Sequence, residues 1–218
     1  MSSRTIPAIS RRTKPRIRLA IASGAALVLL VAMAVDTKMV KIGSSADTPP
    51  GAFSAAKYGS SEFPKVQSAI EARAVDAATL ASAIAKDRAA ATKQYGVESG
   101  TGPEFSVKFT GVVGKGDFGN YDIKVEGVPD TLRIRVQTGP AIMGTDLRDA
   151  TGTIAFGQFT NQIEYQNAGS AINKEMKKEV LAKVDTSNLT GKTISVVGSF
   201  QLSDPSSWLV TPVRLDVK

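Results

Sequence analysis

The chain has 218 residues, 27 Lys and Arg against 20 Asp and Glu, and neither histidine nor cysteine. Without imidazole or thiol, Ser-His-Asp and Cys-His catalysis, most zinc sites, disulfides and lipidation of an N-terminal cysteine are excluded together. The formal charge of +7 belongs to one end: Arg4, Arg11, Arg12, Lys14, Arg16 and Arg18 all precede the first acidic residue, Asp36, and taking those six from the 27 leaves 21 against 20, a net of +1. A nucleic-acid partner is therefore not expected of the part that folds.

Ile17 to Val35 is a run of nineteen residues whose only charge is Arg18, placed where its side chain can reach the headgroups. Basic residues before the run and Asp36 after it predict a cytoplasmic N-terminus, with the rest of the chain exported across the inner membrane. Two readings of residues 1–35 are open: a retained signal anchor forming a transmembrane helix, or a signal peptide cut after Ala34, for which Ala32-Met33-Ala34 supplies small residues. Residues 36–61, with Pro49-Pro50 and many Gly and Ser, read as a linker.

Pro64 followed by Val66, Ile70 and Ala74 predicts a short helix over 63–74, with Pro in its first turn. Asp76 is placed to cap a second, alanine-rich helix carrying Leu80 and Ile84 and ending at Tyr95-Gly96, where Gly would take the left-handed cap. Together residues 62–98 read as a helical hairpin. Past 99–102 the apolar period becomes two: Phe105, Val107, Phe109; then Tyr121, Ile123, Val125; then Leu132, Ile134, Val136. A short strand at 153–159 and a helix bearing Ile172, Met176, Val180 and Val184 follow, and strands at 193–202 and 208–217 end the chain. A helix between the third and fourth main strands is the order of an OB-fold, a small five-stranded barrel, so residues 103–218 are expected to be an α+β, OB-fold-like domain. A plain α+β sandwich gives a similar string.

Gly114-Lys115-Gly116-Asp117-Phe118-Gly119 matches G-x-G-x-x-G, but a second alternating strand follows it instead of a helix, so it reads as a hairpin turn and not a dinucleotide site. Arg133 and Arg135 share one strand face and can clamp a carboxylate or phosphate, or simply face solvent; Gln137 adjoins them. Thr145-Asp146-Leu147-Arg148-Asp149 offers two carboxylates and a guanidinium in a short polar loop, readable as acid–base machinery or as a turn. Asn161, Gln162, Glu164, Tyr165, Gln166 and Asn167 surround an aromatic with amides, which suits a hydroxyl-rich ligand but also suits a helix cap. Arg133, Arg135, Gln137, Asn161, Gln162 and Tyr165 are the candidate ligand-binding set. No catalytic, metal or cofactor residue is assigned.

Asp36-Thr37-Lys38, Ser61-Glu62-Phe63-Pro64, Gly111, the stretch from Val136 to Ile142, Gly144 to Ala150 (GTDLRDA) and Phe156 to Gln166 (FGQFTNQIEYQ) resemble the DUF2291 family, described as predicted periplasmic lipoproteins of unknown function. The resemblance covers nearly all of the chain after the leader. It implies a bacterial envelope setting and a genomic association with sugar ABC transporters, and it transfers no catalytic residue. The sequence departs from the lipoprotein label in having no cysteine. Three functions compete: an accessory module binding a small polar ligand or a transporter component, an envelope hydrolase using Asp146, Asp149 or Glu164, and single-strand nucleic-acid binding, which the neutral body disfavours.

Overall fold

The computed structural model describes residues 15–37 and 52–218, and the chain divides into two units, Met1–Gly51 and Ala52–Lys218. Helix α1, Pro15–Asp36, lies in the first. Its described apolar side chains, among them Leu27, Leu29, Leu30 and Val35, are exposed. Among the described residues no helix is long and apolar enough to cross a membrane. The peptidase site after Ala34 falls within α1, and residues 38–51 of the expected linker lie outside the described residues.

The second unit opens with α2, Ala55–Arg73, so the helix expected at 63–74 begins well inside the segment read as linker. Pro64 sits within it, not in the first turn. A mid-helix proline forfeits one backbone bond. Here packing outweighs that loss, because Gly59, Phe63, Val66 and Ile70 recur on one buried face. Gly59 is required there: a Cβ would stand 2.5 Å from the carbonyl oxygen of Ala171 on the last helix.

Instead of a hairpin, the chain then runs through β1 (Val75–Asp76), α3 (Ala77–Lys86) and α4 (Arg88–Tyr95). Asp76 caps α3 as expected, accepting from the amides of Ala78 and Thr79, a contribution of about 1 kcal/mol. The expected single helix breaks because Asp87 adopts an extended backbone and caps α4 through Ala90 N, a local bond that competes with helix continuation. Gly96 ends α4 in an extended conformation, φ −83°, not the left-handed one.

Strand β2 (Gly96–Ser99) and the long β3 (Gly102–Asp117) follow, then β4 (Asn120–Val125), β5 (Arg133–Gln137), α5 (Asp146–Asp149), α6 (Gln162–Glu179), β6 (Thr193–Gln201) and β7 (Ser207–Val217). The segment 153–159 is not a strand. Thr153 bonds to Thr151 and Gln158 donates back to Thr153 O, winding Phe156–Gln158 into a 3-10 turn. Phe159 packs among Phe53, Tyr58 and Tyr165 instead of entering the sheet. On α6, Ile172, Met176 and Val180 are buried as the spacing predicts, but the helix ends at Glu179 and Val184 follows a further 3-10 turn.

Antiparallel pairings join β3 to β4, β4 to β5 and β6 to β7, β5 and β7 run parallel, and β6 returns to β3 along Glu104↔Gln201 to Val112↔Thr193. The sheet thus curls back on itself with α6 inserted between β5 and β6. The curl is uneven, since the β5–β7 seam runs only from Arg133↔Ser207 to Val136↔Val210. Inward positions alternate as the sequence predicts: Phe105, Val107 and Phe109 face Phe200, Gly198 and Val196. Phe105, Phe200 and Trp208 stack, with centroids 5.8 and 4.6 Å apart. Each such ring contributes roughly 1.5–3 kcal/mol through burial.

Candidate functional site

Along β5 the pleat sends Ile134 and Val136 inward beside Trp208 and Val210, which leaves Arg133 and Arg135 on the outer face. Asp122 of β4 lies directly opposite Arg135 in the register. Its carboxylate is nevertheless taken by Arg133, whose Nε and Nη2 donate to it at 2.7 and 3.0 Å. Those bonds, and then the Asp122 charge, raise the Arg133 pKa. Arg135 is left with one bond, Nη2 to Ser207 Oγ at 3.3 Å, and its buried Nε has no partner among the described residues. The Nε is closed off, but the residue lines the outer face with this single bond, which leaves guanidinium donors for a further acceptor.

A cavity of about 350 Å³ opens over this face, lined by Lys115, Phe118 and Asn120 as well as both arginines. Its wall is the β3–β4 hairpin, whose turn residues Phe118 and Gly119 have φ of +48° and +76°. The turn is narrower than the segment from Gly114 to Gly119 read from sequence, because Gly114 and Gly116 belong to β3. Two positive φ angles favour Asn-Gly. Phenylalanine there costs roughly 1–2 kcal/mol, and its ring is 90% exposed, so burial does not offset the strain. The tip is held in place: Thr138 N and Oγ1 donate to Gly119 O, and a Cβ on Gly119 would lie 1.2 Å from Gly139 O.

A cavity of similar size, about 360 Å³, adjoins the one over Arg135 beside Val128 and Leu132, and two larger ones lie elsewhere. One, about 710 Å³, runs along α4 and β2, where Arg88 already donates to Leu202 O. The other, about 520 Å³, lies beside β7, where Arg214 and Lys183 are paired with Glu71 and Glu179.

The remaining sequence candidates fall in a different place. Gln137 is buried, donating to Met143 O and Thr211 Oγ1 and accepting from Met143 N, so it secures the loop after β5. Asn161 caps α6 through Glu164 N, and Glu164 accepts from Thr160 N. Gln162 is exposed at the start of α6. Tyr165 is half-buried, its ring 3.6 Å beneath the Arg148 guanidinium. The arginine pair shares its cavity with none of Gln137, Asn161, Gln162 or Tyr165.

Buried Arg148 and Asp149 form a second cluster with half-buried Asp146. Arg148 grips Asp149 with two bonds, 2.7 and 3.0 Å, and also donates to Tyr165 O. Thr145 Oγ1 donates to Asp149 at 2.6 Å, and Thr211 Oγ1 to Asp146 at 2.9 Å. Glu104 is buried with Oε2 unpartnered among the described residues. Burial, then the charges of Asp146 and Asp149, push its carboxyl up to about 9, and burial lifts Asp146 to about 6. None of these four cavities is lined by Asp146, Asp149 or Glu164. Among the described residues no acidic group forms a metal cage.

Sequence reasoning missed Lys115, Phe118 and Glu104. Phe118 carried a signal, a bulky aromatic in a turn whose neighbours are Gly and Asn; a lone acid ahead of an alternating strand, as at Glu104, carried none.

A family model described as predicted periplasmic lipoprotein (DUF2291) matches residues 25–216. The chain belongs to the DUF2291 family. That description points to a periplasmic, envelope-associated protein. This DUF2291 chain is also similar to the crystal structure of an OB-fold protein from Thermotoga maritima, at 17% identity and a TM-score of 0.60, covering 76% of this chain and 99% of that one. The likeness concerns the fold alone. Comparison with curated proteins finds no match.

Proposed function

We propose that this DUF2291 protein is a non-enzymatic envelope module that binds a small polar anion on the outer face of β4 and β5. The observation that carries the reading is Arg135, which lines the cavity, whose opposite carboxylate is occupied by Arg133 and whose guanidinium makes one bond, to Ser207, among the described residues. The strand pair is also the face on which OB-folds seat their ligands. A non-enzymatic role is supported by the carboxylates of Asp146, Asp149 and Glu164, each of which already accepts a bond within the fold. Titrating the full-length protein in mild detergent with acetate and with inorganic phosphate, followed calorimetrically, is the test. Binding should weaken roughly tenfold or more in Arg135→Gln, because a hydrogen bond to a charged group contributes about 1.5–3 kcal/mol. Equal binding by the two proteins would sink the site.

The N-terminal segment is proposed to export the domain and, if retained, to hold it at the cytoplasmic membrane, close to the transporter components that such a module would serve. The support is the uncharged run from Leu19 to Val35 with its basic flank. Alkaline phosphatase fused after Gly51 is expected to be active in a bacterial host. Activity from a cytoplasmic reporter at the same junction, with an inactive phosphatase fusion, would reverse the orientation.

A further inference from the structure

We infer that the ligand of this face is a single hydroxylated ring bearing one carboxylate or phosphate, with Phe118 as its stacking platform; the inference rests on the anion site proposed above. At 118 the backbone demands positive φ, a place where asparagine or glycine would fold with less strain. The residue present is instead a phenylalanine that is almost fully exposed and lines the cavity holding Arg135. An aromatic ring kept in water at a strained position gains nothing for the fold, so its use lies in what covers it. Its apolar face suits the flat CH surface of a ring, and the bonds from Thr138 to Gly119 anchor the turn that carries it.

Chemistry within the cavity narrows the class. Arg135 supplies the partner for an anionic group. Asp117 and Asn120 also line the cavity, offering acceptors and an amide for hydroxyls. A volume of about 350 Å³ is near the small end of the range of about 300–1,000 Å³ for ligand sites, which fits one ring and not a dinucleotide or an oligosaccharide. Lys115, with no partner among the described residues, adds positive charge at the rim. A neutral sugar would leave Arg135 unmatched, and an open-chain acid would leave Phe118 uncovered.

The test uses the full-length protein in mild detergent with four probes: glucuronate and glucose 6-phosphate as cyclic anions, gluconate as an open-chain anion, and glucose as a neutral ring. Wild type should bind at least one cyclic anion more tightly than gluconate or glucose. Phe118→Asn, which suits the turn, should melt at the same or a higher temperature yet lose roughly three- to tenfold in affinity for the cyclic anion, leaving gluconate unchanged. Phe118→Tyr should restore the preference. If gluconate matches both cyclic anions in wild type, or Phe118→Asn leaves the cyclic anion unaffected while Arg135→Gln lowers it, the ring assignment falls and the anion site stands. If no anion binds, or Arg135→Gln changes none of the affinities, both fall.

Discussion

Replacing Arg148 with alanine is expected to lower stability by about 3–5 kcal/mol, the cost of leaving one member of a buried ion pair without its partner. The two side chains are 7% and 5% exposed, so solvent does little to screen them. The substitution removes three things at once: both bonds to Asp149, the donor to Tyr165 O, and the cation over the Tyr165 ring. Lysine at 148 keeps the charge but not the two-pronged geometry, and should recover only part of the loss. A double substitution, Arg148→Met with Asp149→Leu, removes both charges and is expected to be milder than Arg148→Ala alone, although Thr145 then loses its acceptor. Chemical denaturation checks the order, with melting temperature falling by roughly 10 °C or more in Arg148→Ala. An Arg148→Ala protein as stable as wild type would show that the pair is not held in the interior.

Period was the legible part of this fold. Strict alternation at Phe105, Val107 and Phe109, and again at Ile134 and Val136, identified inward faces because a strand has only two sides. The i, i+4 spacing of Ile172, Met176 and Val180 did the same for α6. Breaks and ends were less legible, because they turn on single competing hydrogen bonds. Asp87 splits the expected helix by capping its second half, and Thr151 with Gln158 coils a segment whose composition suits a strand. The start of α2 was hidden for a different reason: Gly59, Ser60 and Ser61 interrupt the good helix formers Ala55, Ala56 and Lys57, and the burial of Gly59 against Ala171 is a tertiary fact.

The site was legible only as far as one strand could carry it. Arg133 and Arg135 share a face, as alternation requires, but their unequal fates depend on Asp122, which belongs to another strand and reaches the first arginine diagonally. Tyr165 and Arg135 are separated by the topology: one begins a helix and packs on α5, the other faces out from β5. The motif from Gly144 to Ala150 carried much of the family resemblance, yet its charges hold the fold together. Their specificity in sequence reflects how few side chains can satisfy one another in a buried polar layer.

In that layer Glu104 should make the protein more stable as pH falls, and Glu104→Gln should abolish most of the effect. The carboxyl is 1% exposed, and its pKa is pushed up to about 9, above the ordinary glutamate value of 4.5. A raised folded-state pKa means that the native protein holds a proton which the unfolded chain releases. Its contribution is therefore fully present below about 4.5 and is lost as pH rises through about 9. Each pH unit within that window weakens the fold by up to about 1.4 kcal/mol, or roughly 3–4 kcal/mol by pH 7.5. Glutamine has nearly the shape of the protonated acid, can still accept from Gln201 Nε2, and cannot ionise. Glu104→Gln should thus match wild type near pH 4.5, melt well above it at pH 8, and show a flatter profile between. A residual slope between about pH 4 and 6 is expected from Asp146, whose pKa is raised to about 6 in the same layer. Parallel pH profiles for the two proteins would show that Glu104 does not hold its proton in the fold.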